Sequence, residues 1–566
     1  MLDMFFAIPG LALIIGAVLV PLLPHALRQA YMLALIGLSA FSIWGMASGI
    51  YLTGSLAGLD LTLVRAHALT APFALVFHIA AALNVIYGMH DKTRITPTAG
   101  LAYAGAAIAA LFAGDFITLF IYWEATAFTS VVLILNGKSP RALAAAMRYL
   151  LMQVGSGVIL LSGAVLLWRA TGDLAVGPMD ASTPAGLIIL IALGIKAAFP
   201  LVSDWLQDAY PEASPVGTVM LSAFTTKLAI YMLAVCFAGT TPLIYIGVIM
   251  AVVTTFFALI ENDMRRALAY SLNGQLGIMV TAIGIGSSLA LSGAVAHAFA
   301  STIYQGLLFM AMGAVVYRTG TAKASALGGM RKYMPMTALF MAVGAASIAS
   351  VPFFSGFATK SLTLGAAGKY GLELVWLALL FASVGALIHS GLRPFYHVFL
   401  AQNDDIKAEE APRNMLAAMA IAAALCLFIG INPQALYGLL PYEVGYDVWE
   451  PGHVLGETQL LAFAALGFVL LLHRGLIKRP EDRLILNADW FLRAAAKHVI
   501  FELAKPLVQF WLVALGKTRA AIMRLLQISE EASRQSGLVS GIASTGAAAG
   551  VFLAVFALML LIRQIM

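Results

Sequence analysis

The sequence is 566 residues long, 61% hydrophobic and 11% charged, with a formal net charge of +6. Soluble domains carry about 25% charged residues, so this composition excludes a soluble globular protein. Apolar runs of about 20 residues recur along the chain, and each is long enough to cross the hydrocarbon of a bilayer. The sequence therefore predicts an all-α polytopic membrane protein.

The apolar runs predict about sixteen transmembrane helices, which we number as spans in chain order. The first run has no basic leader or small-residue cleavage site, so we expect a retained helix rather than a signal peptide. The spans begin near Phe5, Gln29, Ala71, Thr98, Asp115, Ala145, Gly186, Gly217, Pro242, Ala267, Ser287, Met336, Gly371, Asn414, Glu457 and Leu538. The predicted organisation is N-terminal helices (1–97), a first five-helix repeat (98–240), a second five-helix repeat (241–402), two additional helices (403–478), a lateral amphipathic segment (479–536) and a C-terminal anchoring helix (537–566).

Basic residues are distributed unevenly between alternate loops. The basic set of loops holds Arg28, Lys92, Arg94, Lys138, Arg141, Arg265, Arg266, Arg318, Lys323, Arg331, Lys332, Lys407, Arg413, Arg474, Lys478 and Arg479. By the positive-inside rule these loops face the cytoplasm, so both termini are expected outside an inner (cytoplasmic) membrane of bacterial type. The net charge is thus an orientation signal, and no basic stripe predicts binding to nucleic acid.

The segment from Arg479 to Gln535 mixes basic residues and tryptophans into apolar sequence at helical spacing. A helix of this kind lies along an interface instead of crossing the membrane. Two interpretations stay open: a membrane-surface helix, and a lateral helix that holds neighbouring subunits.

Five ionisable residues fall inside predicted spans, where each costs about 2.5–3.5 kcal/mol and is a functional candidate. They are Glu124 in the fifth span, Lys196 in the seventh, Lys227 in the eighth, His297 in the eleventh and Lys360 at the end of the twelfth. Taken singly, a lysine near a helix end can snorkel to the interface, and a buried histidine is often only hydrogen-bonded packing. One acid and several bases on successive helices are harder to explain as packing.

Two of these helices are predicted to be broken. Pro200 interrupts the seventh span beside Lys196, and the sequence from Pro352 to Gly356 interrupts the twelfth beside Lys360. Breaks five spans apart, at matching positions of two halves, point to inverted repeats of spans four to eight and nine to thirteen. An unwound turn admits water; burial favours the neutral form of a lysine, and a nearby carboxylate favours the charged form. A variable distance between Glu124 and Lys196 would therefore load and unload the lysine, as in a proton pump.

The thirteenth span carries His389, Arg393 and His397 at four-residue spacing, which places them on one helical face. They are expected near the cytoplasmic end, either as a proton entry or as an interfacial ring of polar residues. No metal site, nucleotide loop, haem motif or cofactor site is evident, so any redox or hydrolytic energy would come from partners.

Four motifs carry a family resemblance: "YWEATAFTS", "GIKAAFPLVSDWLQDAYPEASPVG", "RRALAYSLNGQLG" and "SVPFFSGFATK". With them the chain resembles the proton-translocating antiporter-like subunits of respiratory complex I, Mrp-type cation/proton antiporters and membrane-bound hydrogenases. The resemblance covers spans four to thirteen. It implies a fourteen-helix core with two inverted five-helix repeats, and a lateral helix and final anchoring helix like those of the long complex I member.

The resemblance also implies roles for the buried charges. Glu124 and Lys196 would form an ion pair, Lys227 would relay, and Lys360 would face the exit. His297 matches the first of two histidines on the eleventh helix, but Ser301 stands in place of the second and Gln305 in place of a lysine. Either water held by Ser301 and Gln305 completes the central pathway, or the pathway is weakened.

Three functions follow as hypotheses. The first is a subunit that translocates protons, or exchanges Na⁺ for H⁺, within an assembly of other membrane subunits resembling an NADH:quinone oxidoreductase. The second is a non-conducting scaffold subunit of such an assembly, and the third is an independent cation/proton antiporter. In each case the chain is expected to have no redox or hydrolytic site of its own.

Overall fold

The computed structural model describes residues 8–477 except 57, 138, 404 and 405, together with residues 481, 502, 505, 506, 509, 513, 523 and 524. The chain divides into two units, residues 1–486 and 487–566. In the second unit, the side chains of Glu502 and Lys505 form an ion pair of 3.0 Å. The predicted lateral segment (479–536) and anchoring helix (537–566) therefore fall almost wholly outside the described residues, and both stay predictions.

The first unit begins with helices and a β-hairpin. Helix α1 spans Leu11–Ala17, a 3₁₀ turn spans Val20–Leu22, and helix α2 spans His25–Ser42. Strands β1 (Gly49–Leu56) and β2 (Leu59–Ala66) then pair in antiparallel fashion from Leu56–Leu59 to Gly49–Ala66. The all-α prediction did not include this hairpin, although "LDLTLV" alternates apolar and polar residues with the period of a strand.

The other secondary-structure elements described in the first unit are helices, with short 3₁₀ turns at Tyr210–Glu212 and Met330–Lys332. They are α3 (Thr70–Tyr87), α4 (Ile95–Leu111), α5 (Phe116–Leu135), α6 (Ala142–Thr171), α7 (Pro184–Lys196), α8 (Asp204–Ala209), α9 (Pro215–Ala223), α10 (Thr225–Cys236), α11 (Pro242–Ile260), α12 (Met264–Ile285), α13 (Ser288–Thr319), α14 (Pro335–Ile348), α15 (Ser355–Lys369), α16 (Glu373–Ala386), α17 (Arg393–Phe395), α18 (Arg413–Ile431), α19 (Pro433–Tyr437) and α20 (Pro451–His473).

Ten helical segments among the described residues are long and apolar enough to cross a membrane, and four shorter apolar helices accompany them. The prediction of a polytopic helical membrane protein is thus confirmed. The count of sixteen spans and the inverted repeats stay predictions.

Local sequence signals explain where several helices begin. Asp115 accepts hydrogen bonds from the backbone N–H groups of Ile117 and Thr118 at the start of α5, and Asp263 caps α12 in the same way. Such caps satisfy N–H groups that the first helical turn leaves free. The apolar helices therefore begin at defined residues within the polar connections.

The two predicted breaks have the same backbone conformation. Between α7 and α8, Ala198 and Leu201 have φ values of 60° and 72°; between α14 and α15, Ser350 and Phe353 have 62° and 72°. Among the described residues these four are the non-glycine residues with positive φ. In each break the proline, which has no N–H to donate, directly precedes the second of them.

The predicted thirteenth span is not a uniform α-helix. After α16 the backbone forms a π-helix at Leu387–Leu392, the short α17, and a second π-helix at Tyr396–Leu400. π-Helical turns frequently occur at functional sites, and these two contain His389 and His397.

The interior is centred on α12 and α13, in which almost every residue is buried. Helix α13 packs against α9, α12, α14, α15 and α18. At the crossing of α11 and α12, Gly247 and Gly277 face each other so closely that a Cβ on either would collide with the other's carbonyl oxygen. The two cysteines, Cys236 and Cys426, are separate, reduced and enclosed.

Candidate functional site

Lys196 is the last residue of α7, and its side chain is fully buried. The Nζ group donates to the carbonyl oxygen of Trp123 at 3.0 Å and to Oγ1 of Thr126 at 2.9 Å, both on α5. It also lies 3.9 Å from the centroid of the Trp123 ring, within the range of a cation–π interaction. The ammonium thus has three favourable neighbours, and none of them carries a full negative charge.

Glu124 lies on α5, directly after Trp123. Its carboxylate rests against Gly157 of α6, where a Cβ would collide with Oε1. Oε1 is buried and has no hydrogen-bond partner among the described residues. The carboxylate and the Lys196 ammonium interact electrostatically, but no ion pair joins them in this part of the chain. The structure therefore places the two expected partners as neighbours rather than in contact.

Lys227 lies at a second discontinuity. The chain deviates from α-helical geometry at Phe224, between α9 and α10, where φ is −105°. Nζ of Lys227 donates to the carbonyl oxygen of Ser222 at 2.7 Å. This carbonyl belongs to the last turn of α9, where carbonyl groups have no intrahelical partner, so the break supplies the acceptor for the buried amine.

Lys360 on α15 uses the break between α14 and α15 in a similar way. Its Nζ donates to the carbonyl oxygen of Ile348, the last residue of α14, at 2.5 Å. A second bond reaches Oγ of Ser383 on α16 at 3.3 Å. A cation at a helix C-terminus is favoured by the helix dipole, and here that cation is provided by a neighbouring helix.

His297 joins α13 to its neighbours on both sides. Nδ1 lies 3.1 Å from Oγ1 of Thr359, the residue before Lys360. Nε2 lies 3.2 Å from Oε1 of Gln275 on α12 and 3.3 Å from the hydroxyl of Tyr304. The imidazole is fully buried and thus lies between the α12 side of the core and the lysine on α15.

The two departures from the family pattern have different environments. The Ser301 hydroxyl donates to the carbonyl of Ala298 on its own helix. Gln305 donates through Nε2 to the carbonyl of Leu268 on α12 at 2.9 Å, while its Oε1 is buried and has no hydrogen-bond partner among the described residues. Gln305 therefore has an acceptor available for water, and Ser301 is already engaged within its helix.

The three polar residues of the thirteenth span are all buried. His389 contacts Oγ of Ser390 at 2.9 Å, and Ser390 donates to Oγ of Ser271 on α12 at 2.6 Å. Arg393 donates to the carbonyls of Ala258 and Glu261 at the end of α11, at 3.3 and 2.6 Å. Arg393 thus stabilises a helix end, and His389 continues a line of hydroxyl groups into the core.

Several further polar atoms in the interior have no hydrogen-bond partner among the described residues. They include both side-chain polar atoms of Gln153 and Gln207, the hydroxyls of Thr226, Ser355 and Thr363, and Oδ1 of Asn273. Buried polar atoms of this kind are usually satisfied by water. Thr226 is adjacent to Lys227, and Ser355 lies at the start of α15, the helix that carries Lys360. Two of these hydroxyl groups are therefore close in sequence to buried lysines.

Sequence reasoning missed two residues near Lys360. Nε2 of His453 on α20 lies 2.8 Å from Oγ of Ser361, and Glu457 on the same helix interacts electrostatically with Lys360. Glu457 marks the predicted start of the fifteenth span and His453 precedes it, so neither residue stands out as a charge inside an apolar run.

Comparison with known proteins supports the resemblance. Residues 113–386 match the family described as NADH:quinone oxidoreductase/Mrp antiporter, TM. One Na(+)/H(+) antiporter subunit, from Alkalihalophilus pseudofirmus, is 27% identical over an alignment of 432 residues that covers 67% of this chain and 52% of that protein. Another, from Staphylococcus aureus, is 28% identical over an alignment of 385 residues that covers 59% of this chain and 47% of that protein. The chain thus spans about half the length of these curated relatives.

Two solved structures share the fold. A chain in the Mrp complex from a Dietzia species superimposes with a TM-score of 0.70 at 21% identity, covering 81% of this chain and 100% of that one. A chain of the membrane-bound sulfane sulfur reductase, an archaeal respiratory membrane complex, gives 0.69 at 20% identity, covering 97% and 99%. The resemblance drawn from the sequence is confirmed in residues 113–386, which match the model of the NADH:quinone oxidoreductase/Mrp antiporter family.

Proposed function

We propose that this chain is a proton-translocating subunit of a larger membrane assembly. The observation that carries the proposal is common to the three buried lysines. The ammonium groups of Lys196, Lys227 and Lys360 each donate to a main-chain carbonyl. A lysine held by neutral acceptors can release its proton without leaving a buried carboxylate unpaired, whereas a lysine in a contact ion pair would leave one unless the carboxylate itself took the proton.

Burial makes that release accessible. Removing an amine from water disfavours its charged form, and the three side chains are between 0% and 2% exposed. A structural role alone would favour an apolar side chain at these positions, because a buried charge is costly to insert. The combination of full burial and neutral partners therefore favours a group that changes protonation state.

The central step runs from Lys227 to Lys360 through His297. Helix α13 packs against both α10, which carries Lys227, and α15, and His297 contacts the residue before Lys360. Imidazole is the side chain that both accepts and releases a proton most readily near neutral pH. Water bound at Thr226 and at Oε1 of Gln305 completes the connection in place of the missing second histidine and lysine.

At the other end, Glu124 controls Lys196. The ammonium is now bound to Trp123 and Thr126, with the carboxylate beside it. Movement of the ammonium from the Trp123 carbonyl to the carboxylate would stabilise its charged form, and the reverse movement would release the proton. The pair therefore couples a small displacement to proton uptake.

The partners of the chain follow from its relatives. Two of them are named subunits of Na(+)/H(+) antiporters and one fold neighbour belongs to a respiratory membrane complex. We infer that this chain also works with other membrane subunits in an inner membrane, and that its segment 479–536 holds them. Deleting residues 479–566 should release those subunits during mild-detergent purification; an unchanged assembly would leave only the membrane-surface interpretation of the segment.

The proposal is tested by proton transport into everted vesicles that contain the chain and its co-purified partners. Lys360→Met should reduce uptake at least ~100-fold, because methionine cannot carry the proton. Lys369→Met on the same helix is the matched control, since Lys369 is exposed, and it should transport like the parent.

The scaffold hypothesis makes the opposite prediction. The Ser301 hydroxyl is engaged within its own helix, which favours an interrupted central pathway. If Lys227→Met, His297→Gln and Lys360→Met all assemble and transport like the parent, the chain is a scaffold. Dependence of proton movement on a sodium gradient, absent in Lys360→Met, would identify Na⁺/H⁺ exchange.

A further inference from the structure

We propose that Glu457, together with His453 one turn before it on α20, accepts the proton that leaves Lys360 and passes it to the end of the bundle at the loop 438–450. This inference rests on the proposed function and assigns its terminal step. Neither residue lies within the region 113–386 that matches the family.

The start of α20 is attached to α15 beside Lys360. His453 bonds Ser361, the residue after Lys360, at 2.8 Å. The imidazole also stacks on the ring of Phe357, one turn earlier on α15, with centroids 5.1 Å apart and ring planes at 22°. One hydrogen bond and one stacked ring therefore fix the position of this turn of α20 against α15.

Glu457 follows His453 by four residues and so lies on the same face of α20. Its carboxylate is partly buried and interacts electrostatically with Lys360. Two other titratable groups lie around this position. Tyr446 interacts electrostatically with Glu457, and Glu450 interacts electrostatically with His453. Among these groups, Glu457 is the carboxylate that acts on Lys360.

The remaining contacts of Lys360 cannot take a proton onward. The carbonyl of Ile348 and the hydroxyl of Ser383 accept hydrogen bonds, but neither stores a proton near neutral pH. Transfer from the Lys360 ammonium to the Glu457 carboxylate leaves a neutral amine and a neutral carboxyl group. Both are acceptable in a weakly polar site, because the step cancels two opposite charges at once.

A route to water continues from Glu457. Tyr446 lies against His453 with ring centroids 6.1 Å apart, and Trp449 covers Phe353 and Phe357 at 5.0 and 5.5 Å. Asp447 and Glu450 in the same loop are exposed. The loop therefore combines ring contacts to His453 and Phe357 with exposed carboxylates, and we assign it as the way from Glu457 to solvent.

A purely structural role does not explain Glu457. Helix α20 begins at Pro451, so Glu457 lies beyond the first turn, where a carboxylate would stabilise the helix dipole. Only Leu461 and Phe468 of this helix are buried, and its exposed apolar residues include Leu455, Phe463 and Leu466. A carboxylate in such a helix is costly unless the cation beside it is its partner.

Carbodiimide labelling tests the coupling without transport. Dicyclohexylcarbodiimide modifies carboxyl groups in their protonated form, and mass spectrometry of the full-length chain in membranes locates the adduct. We expect labelling of Glu457 to rise several-fold at a fixed pH in Lys360→Met, because loss of the ammonium favours the neutral carboxyl group. Labelling of Glu443 should not change. Equal labelling of Glu457 in the parent and in Lys360→Met would overturn the proposal.

Transport separates this inference from the function on which it rests. Glu457→Gln keeps the shape of the side chain and should reduce uptake at least ~10-fold, Glu457→Asp should retain part of it, and Glu443→Gln should match the parent. If Lys360→Met abolishes uptake while Glu457→Gln transports like the parent, the proposed function holds and this inference is wrong. If the parent itself moves no protons, the proposed function fails, and the labelling result still decides whether Glu457 and Lys360 are coupled.

Discussion

The Lys196 ammonium donates to the carbonyl of Trp123 at 3.0 Å, and Trp123 is the residue directly before Glu124 on α5. The acceptor that now holds the amine and the carboxylate that would charge it are therefore adjacent on one helix. Under the proposed function, movement of the ammonium from the carbonyl to the carboxylate would stabilise its charged form.

Lys196→Met is expected to abolish transport, and Glu124→Gln to reduce it at least ~10-fold, because the first removes the proton carrier and the second its electrostatic control. Proton uptake by everted vesicles measures both. Lys92→Met removes an exposed lysine and should leave uptake unchanged. Uptake at the parent rate in Lys196→Met would rule out this residue as a carrier.

Two glycines of α6 provide a matched pair for the position of Glu124. A Cβ at Gly157 would collide with the Glu124 carboxylate, whereas a Cβ at Gly155 meets no atom within 4 Å. Alanine favours a helix by about 1 kcal/mol over glycine at either site, so Gly155→Ala should transport normally and unfold at a slightly higher temperature. Gly157→Ala should displace the carboxylate and lower uptake several-fold; equal uptake by the two variants would show that the position of Glu124 does not matter.

His297→Gln should lower transport at least ~10-fold, because an amide fills the site but does not take up the proton. Thr302→Val on the same helix is the control, since that hydroxyl donates to the carbonyl of Ala298 on its own helix. Gln305→Lys puts an ionisable group in place of an amide whose Oε1 has no hydrogen-bond partner among the described residues. Proton uptake by this variant should equal or exceed that of the parent. If His297→Gln transports as well as Thr302→Val, protons do not pass through α13.

The strained backbone of the first break predicts an unusual stability change. Leu201 is 64% exposed with φ 72°, a conformation that costs an L-residue about 1–2 kcal/mol and glycine little. Leu201→Gly should therefore raise the unfolding temperature in detergent. Leu187→Gly, at an exposed helical position of α7 (48% exposed), should lower it by the equivalent of about 1 kcal/mol. A fall in both variants would contradict the inferred strain.

The sequence predicted those features that single residues mark. Pro200 and Pro352 predicted the two helix breaks, and each buried lysine was recognisable as a charged residue in an apolar run. The acceptors of those lysines were not predictable, because Trp123 is 73 residues from Lys196 and Ile348 is on a different helix from Lys360. The resemblance implied an ion pair of Glu124 with Lys196, which stays a prediction; the neutral acceptor on Trp123 was not part of it.

Other features were missed for different physical reasons. The π-helices around Arg393 follow from packing against neighbouring elements that include α11 and α14, and they leave no mark in an apolar sequence. The hairpin at 49–66 is short and contains residues that are also common in membrane helices. Its composition therefore does not distinguish its strands from part of a membrane helix. Glu457 was visible but could not be assigned to Lys360, since the two are far apart in the sequence and only folding brings α20 to α15.

The enclosure of Cys236 and Cys426 makes the natural chain a ready background for thiol labelling. Both native sulfurs are shielded from water-soluble maleimides, so a single cysteine introduced at an exposed position reports alone. A cysteine substituted for Asp60, which is exposed in the hairpin, would show which side of the membrane this segment faces. The measurement uses intact cells and a maleimide that does not cross the membrane. The same enclosure means that the sidedness of every loop can be mapped without first removing a native residue.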